Sequence, residues 1–375
     1  MNPPLPRLPA DPLIRSRYRG CLLGGAVGDS LGAAVEFMSE SEIGQRFGPD
    51  GVQEPSLAYG RLGAITDDTQ LTLFTAEGLM RAFIRERVRG ICHPPGVIAY
   101  AYLRWLHTQG VSHRAHDECL DGWLITNREL FERRAPGTTC LAALRALKDV
   151  GDRAKNDSKG CGSVMRVAPV GMMFASLSAE GSLESMEACF KLACEAAAIT
   201  HGHPTAQLSS GAFAVMVMGL LVGRTLDESV RTALDLLAGE AGHEESTNAI
   251  VSACDLARSR PGDIGAIRML GEGWIAEEAL AIGLYCALSV IGFREGVVLA
   301  VNHGGDSDST GSIAGQLLGA MHGIESVPTG WLKKLELAVV IEAVADDLAT
   351  VAEWQLDDES PSGEDDFYFA RYPGW

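Results

Sequence analysis

Glycine recurs at every fourth position in two stretches of this chain, and no other feature constrains its fold as strongly. Gly20, Gly24, Gly28 and Gly32 punctuate one apolar segment, with Glu36 next on the same line; Gly311, Gly315, Gly319 and Gly323 punctuate another far downstream. Residues four apart share a helix face, so each stretch reads as a helix with one bare side. Each glycine costs such a helix about 1 kcal/mol relative to alanine. Close approach of a second helix backbone is the natural compensation. Bare glycine faces also occur between membrane helices, but Asp29, Glu36 and Gln316 argue for a soluble core. The pattern predicts two central helices packed tightly, with most of these glycines serving packing alone.

Two acidic clusters accompany the glycine segments: Thr66-Asp67-Asp68-Thr69 and Asp306-Ser307-Asp308-Ser309. Each sets two carboxylates and two hydroxyls ahead of an apolar, helix-like run. Taken singly, such a cluster reads as helix capping. Oxygen donors at this density are also hard ligands suited to Mg²⁺, Mn²⁺ or Ca²⁺. Gly304-Gly305, directly before Asp306, allow a sharp turn and close backbone approach. If folding unites the clusters, four carboxylates converge, enough for two divalent cations; without cations they would repel one another or take up protons. Asp29 reads equally well as a cap for neighbouring backbone amides, and Glu36 is the stronger functional candidate.

The rest of the chain reads as all-α. Alternating β-branched patterns are rare, and helices are predicted over 16–36, 69–87, 97–109, 140–150, 183–198, 204–222, 226–238, 246–258, 276–291, 295–302, 310–322 and 331–353. With 375 residues, 46% of them hydrophobic, and no linker, one large domain is expected over 15–354. A proline-rich extended arm, 1–14, precedes it, and an acidic and aromatic tail, 355–375, follows. Within that tail 357–366 reads as solvated, while Phe367, Tyr368, Tyr372 and Trp375 suggest an end that folds back. The net charge of −18 argues against a general binder of nucleic acid or anionic membrane, yet a phosphate-bearing substrate stays open where a cation reverses the local sign. Nine cysteines without a CxxC pair fit reduced thiols. No signal-peptide apolar region opens the chain, and the longest clean apolar run, 211–223, is short for a bilayer span. A cytoplasmic protein, without membrane partner, is expected.

Lys159-Gly160-Cys161-Gly162-Ser163-Val164-Met165-Arg166 is a glycine-rich loop before an apolar segment. Such loops can cradle phosphates, and they also make ordinary tight turns. Cys161 could be a nucleophile, but nothing in the sequence marks an activating histidine. In Thr200-His201-Gly202-His203-Pro204 the histidines suit hydrogen bonding to substrate or loop better than a site of hard oxygen ligands. His243-Glu244-Glu245-Ser246 lacks the second histidine of a zinc HExxH motif.

Set in order, Gly28-Asp29-Ser30-Leu31-Gly32, Val35-Glu36-Phe37, Thr66-Asp67-Asp68-Thr69-Gln70, the 160–166 loop, the 200–204 segment, Gly273-Trp274-Ile275-Ala276-Glu277-Glu278-Ala279-Leu280 and Gly304-Gly305-Asp306-Ser307-Asp308-Ser309 resemble the ADP-ribosylglycohydrolase family. That family includes the dinitrogenase-reductase-activating glycohydrolases and the ADP-ribosylarginine hydrolases. The likeness runs from about Tyr18 to about Gly323. It implies a compact single-domain orthogonal helical bundle with a central binuclear Mg²⁺ site, Mn²⁺ in some members. It implies Thr66, Asp67, Asp68, Asp306, Asp308 and Ser309 as metal ligands, with Ser309 standing where the family usually has Thr. It further implies Glu36, Asp67, Asp68 and Asp306 as catalytic carboxylates, Glu36 in gating or proton transfer. Gly160, Cys161, Gly162, Ser163, Met165, His201, Gly304 and Gly305 would hold the substrate; many relatives have Asn in place of Cys161. The implied reaction is metal-dependent removal of ADP-ribose from a modified protein, with an arginine linkage favoured by the KGCG-type loop and Gln70. Alternatives are a serine-linked or O-acetyl-ADP-ribose substrate, an immunity protein that binds an ADP-ribosylating toxin, in which the arm would reach the partner, and, more distantly, a two-metal phosphohydrolase. No oligomerisation signal stands out, so a monomer is expected.

Overall fold

The computed structural model describes residues 11–116, 119–356 and 364–374. Seventeen α-helices carry the described chain: α1 Pro12–Gly32, α2 Glu40–Phe47, α3 Asp67–Arg89, α4 Pro94–Thr108, α5 Thr138–Ala146, α6 Ala168–Leu177, α7 Leu183–Ala198, α8 Pro204–Leu221, α9 Leu226–Leu237, α10 Glu244–Ser259, α11 Ile264–Leu270, α12 Ala276–Ser289, α13 Phe293–Val301, α14 Ser307–His322, α15 Thr329–Leu332, α16 Ala338–Thr350 and α17 Glu364–Arg371. Among the described residues the only sheet is a hairpin of β1 Leu57–Ala58 and β2 Arg61–Leu62.

The glycine stripes set the centre of this all-α architecture. Helices α1 and α14 run antiparallel with their backbones in direct contact. A Cβ added at Gly20 would lie 2.3 Å from the Gly319 carbonyl oxygen; at Gly24, 2.5 Å from that of Gly315; at Gly28, 1.9 Å from that of Gly311; at Gly32, 2.2 Å from that of Ser307. The reverse holds from α14, with Gly311, Gly315 and Gly319 each pressed on the carbonyl of its partner. Any side chain would push the pair apart, which is why the stripes are bare. Around this pair pack α12, α13 and α16, while α8 forms a second centre against α6, α7 and α9. By length and composition α8 is the one described helix that could cross a membrane; 89% of it is buried inside the fold.

Local chemistry explains most helix limits. Asp11 caps α1 through the Leu13 amide, and Pro12 occupies the first turn, where its missing N–H costs nothing. The predicted helix 16–36 therefore starts earlier, and it ends at Gly32 because residues 33–37 form a turn. Ser39 and Glu42 make a capping box for α2, as Thr225 and Glu228 do for α9. The predicted helix 331–353 is broken: α15 ends at Leu332, and Leu337, with φ 55°, sits in the left-handed region before α16. Helices α2, α6, α11 and α17 are additions. Three of them are short, and α6 is apolar on nearly every side and shows no helical periodicity. Beyond α16, Trp354 stacks on Tyr368 at 3.9 Å, and the Tyr372 hydroxyl donates to Asp347 Oδ2 at 2.5 Å. Residues 1–10 of the arm, and 357–363 and Trp375 of the tail, lie outside the described residues.

Candidate active site

The register of α1 on α14 brings the C-terminal end of one to the N-terminal end of the other. Gly32 meets Ser307, so the turn carrying Glu36 falls beside Asp306 and Asp308. Glu36, Asp306 and Asp308 each offer a carboxylate oxygen, all within 4.8 Å of one another.

Asp29 adds the third element. From inside α1 its carboxylate accepts from the Thr66 amide (3.0 Å), the Thr66 hydroxyl (2.9 Å), the Thr69 amide (3.2 Å) and the Thr69 hydroxyl (2.5 Å). Asp29 is thus a cap, but for the start of a distant helix. It pins the N-terminus of α3, with Asp67 and Asp68, to the α1–α14 junction. Asp67 Oδ2 accepts from the Gly137 amide at 3.0 Å and so ties in the start of α5. The two acidic clusters, separate in sequence, therefore border one centre.

This centre is electrostatically unbalanced. Glu36, Asp67, Asp68, Asp306 and Asp308 are all buried. Among the described residues no arginine or lysine pairs with any of them. Glu36 Oε2 and Asp68 Oδ1 have no hydrogen-bond partner at all. Burial, and then the charge of neighbouring carboxylates, pushes Glu36 up to about 11 and Asp29 to about 7. Asp68 and Asp306 are raised well above the carboxylate range by burial and then by Asp308. Asp67 is raised well above it too, chiefly by burial, against the opposing Gly137 amide, and Asp308 is raised by burial. Buried anions need a counter-charge. Orphaned carboxylate oxygens in an all-oxygen donor set fit hard divalent cations, with Thr66 and Ser309 supplying hydroxyls at the rim of the same cluster.

The remaining predicted residues fall into two groups. The glycine-rich loop lies at the centre: Cys161 Sγ donates to Asp306 Oδ2 at 2.7 Å, and Ser309 Oγ donates to Met165 Sδ at 3.7 Å. Burial and Asp306 push the Cys161 thiol well up, so it is held neutral and unsuited to attack. The loop is fixed from outside by an antiparallel bridge between Gly160 and Ile275, with Cys161 N–H donating to the Trp274 carbonyl at 3.1 Å. The Ser163 hydroxyl donates to the Gly160 carbonyl at 3.0 Å and braces the loop from within. His201 lies beneath it, 1% exposed, and Cβ atoms at Gly160 or Gly162 would touch its ring. Burial, then Arg166, holds His201 down at about 3, so the ring is neutral. Gly304 and Gly305 press on backbone, the first against Glu40 N and the second against the Glu272 carbonyl, so their bare faces meet protein. Gln70 turns away from the carboxylates. Its Oε1 accepts from Trp105 Nε1 and Gln109 Nε2, both at 3.0 Å, so it serves the α3–α4 packing.

The sequence assigns no role to two aromatic features, although Phe37 and Trp274 lie within its family-like motifs. Phe37 and Trp274 stack at 6.1 Å and 18°, both solvent-exposed. Tyr59 tops the β1–β2 hairpin at φ 51°, beside Gly60 at φ 76°. Burial raises its phenol, and the charges of Glu36, Asp308, Asp29 and Asp67 raise it further. Only the Tyr-Gly pair between Leu57 and Leu62 could have hinted at this turn.

Fold and site together define an all-α protein whose helix ends enclose a buried, cation-seeking carboxylate centre. The family model described as ADP-ribosylglycohydrolase matches residues 10–357. An ADP-ribosyl-[dinitrogen reductase] glycohydrolase of Rhodospirillum rubrum is 27% identical, the match covering 88% of this chain and 93% of that protein. The ADP-ribosylarginine hydrolase Tri1 of Pseudomonas putida is 23% identical, covering 88% of this chain and 77% of that one. A solved structure described as an ADP-ribosylglycohydrolase-related protein complex superposes with TM-score 0.60 at 27% identity, over 90% of this chain and 99% of that one. The chain belongs to the ADP-ribosylglycohydrolase family, and its enzyme class is that of glycosidase-type hydrolases.

Proposed function

We propose that this protein hydrolyses the bond between ADP-ribose and a modified arginine side chain, and that it needs two Mg²⁺, or Mn²⁺, to do so. The observation that carries the reading is that Glu36, Asp306 and Asp308 converge within 4.8 Å while Asp29 pins the helix start carrying Asp67 and Asp68 to the same junction, all buried and without basic partners among the described residues, beside a braced glycine-rich loop. Asp67, Asp68, Asp306 and Asp308, with Thr66 and Ser309, would hold the cations. Bound there, the cations would fix ribose hydroxyls and lower the pKa of a water. The carboxylates would stabilise the positive charge that grows on the sugar as its C1″ bond breaks. Glu36 can hold or move a proton at Oε2, its orphaned atom. The loop from Gly160 to Met165 would hold the ADP-ribose, with neutral His201 setting its position from below.

An arginine linkage fits the mouth. Its negative field and the exposed Phe37–Trp274 pair suit a planar guanidinium, which stacks on aromatic faces. The name of the Pseudomonas putida relative points the same way. The protein would act as a monomer on ADP-ribosylated protein. Nine free cysteines suit a reducing cytoplasm.

The test compares ADP-ribose release from arginine-linked and serine-linked modified proteins, with Mg²⁺ present. Release from the arginine substrate, at least tenfold faster than from the serine substrate, is expected. The reverse preference would transfer the reading to a serine-linked substrate, and inertness toward both would reject hydrolysis.

A further inference from the structure

A cavity of about 690 Å³ lies toward the end of α3 remote from the carboxylate centre. Arg81 is a lining residue, and fourteen residues of helix after Asp67 place it about 21 Å from the carboxylate centre. None of the centre's carboxylates lines it. Arg81, Arg85 and Arg104 do, with Asp121 and walls that include Ile91, Val97, Tyr100 and Val150.

The arginines outnumber the carboxylates beside them and lean on backbone carbonyls: Arg81 donates to those of Asp121 (2.7 Å) and Pro373 (3.4 Å), and Arg104 to that of Cys119 (3.3 Å). Arg81 and Arg104 are 3% and 2% exposed as side chains and share one carboxylate: Glu77 Oε1 meets Arg81 Nη2 at 2.9 Å, and Oε2 meets Arg104 Nε at 2.8 Å. Arg81 also reaches Asp121 at 2.7 Å, but Asp121 is 43% exposed. Arg81 Nε and Arg104 Nη2 are buried with no acceptor. Arg85, half-buried, donates to the Gly374 carbonyl at 3.4 Å. Three guanidiniums thus share two carboxylates, Glu77 and Asp121, which leaves the cavity wall with a net positive charge. A wall of guanidiniums with surplus positive charge favours an anion, and a phosphate is the acceptor that guanidinium forks match best. The volume far exceeds a bare phosphate, falls in the range of small-molecule sites, and its other walls are apolar or aromatic.

We propose that this cavity is a second binding site, for a small phosphate monoester with an apolar or aromatic body. It is independent of the hydrolase reading, since it shares no residue with that centre.

Phenyl phosphate and inorganic phosphate are the probes, titrated calorimetrically into the full chain. Alkylation of each cysteine is followed by mass spectrometry, because Cys92 lines the cavity and half-buried Cys194 does not. The expected result is saturable binding of one phenyl phosphate, weakened at least tenfold by Arg85→Glu and by Val97→Trp, and unchanged by Asp308→Asn. Phenyl phosphate should slow alkylation of Cys92 severalfold and leave Cys194 unaffected; this arm needs no variant and so does not depend on Val97→Trp folding. Absence of binding overturns the proposal, as do loss of binding in Asp308→Asn and unprotected Cys92. Binding that appears only in Trp375→Gly would show that the chain's own side chain fills the space, also overturning it. Inorganic phosphate binding as tightly as phenyl phosphate would refute the role of the apolar walls.

Discussion

Gly28→Ala tests the glycine contact that organises the fold. The new Cβ would fall 1.9 Å from the Gly311 carbonyl oxygen and 2.4 Å from its carbon, where 3.4 Å is the start of ordinary contact. Both atoms are backbone, so no side-chain rotation relieves the clash, and the helices must part by about 1.5 Å along a shared register. Helix propensity returns about 1 kcal/mol. Overpacking a rigid core costs about 1–3 kcal/mol where side chains can adjust, and more where they cannot. The net expectation is a loss of about 2–4 kcal/mol, set against a total of roughly 5–15 kcal/mol for a folded domain. Urea unfolding followed by circular dichroism measures it. Gly44→Ala in α2 is the control: nothing lies within 4 Å of its Cβ, and it should be neutral or stabilising by up to about 1 kcal/mol. Gly20→Ala, with a 2.3 Å clash at the far end of the same contact, should destabilise while disturbing the carboxylate centre less than Gly28→Ala does. A Gly28→Ala protein as stable as the parent would refute the argument.

Two further predictions concern the centre itself. Asp29→Ala removes the acceptor for four donors from Thr66 and Thr69; it should cost about 1–3 kcal/mol in urea unfolding and weaken Mn²⁺ binding, whereas unaltered Mn²⁺ affinity would mean that α3 is positioned by other contacts. In EDTA the protein should lose stability as pH rises. The folded carboxylates are raised above their unfolded values, so their contribution is complete below about pH 4 and is lost as pH climbs through about 7 for Asp29 and toward about 11 for Glu36. Thermal unfolding from pH 5 to pH 9 should show a falling midpoint in EDTA and a stabilisation by Mg²⁺ that grows with pH; a midpoint that rises with pH in EDTA would contradict the assigned shifts.

The centre was legible in sequence to the extent that its residues lie in short, dense runs. The glycine spacing announced two helices in backbone contact because helix periodicity is local and glycine on a buried face has few other uses. The acidic clusters announced hard ligands by their chemistry. What joins them was harder to read. Asp29 caps α3 across thirty-seven residues of chain, and a single aspartate gives no hint of a distant helix start. Gln70 adjoins Asp68-Thr69, yet helix rotation turns it toward Trp105 and Gln109. Tyr59 sits on a two-residue turn between strands too short to show alternation. The helix end at Gly32 and the break at Leu337 depend on what α1 and α16 meet in three dimensions, and periodicity carries no record of that.

The central claim is that Asp67-Asp68 and Asp306–Asp308 build one cation centre. Calorimetric titration with Mn²⁺ of the parent chain, Asp68→Asn and Asp308→Asn tests it most directly. The account predicts two Mn²⁺ per parent chain, with at least one site lost or greatly weakened in each variant, although the substituted residues come from opposite ends of the sequence. Full Mn²⁺ binding by either variant would contradict it.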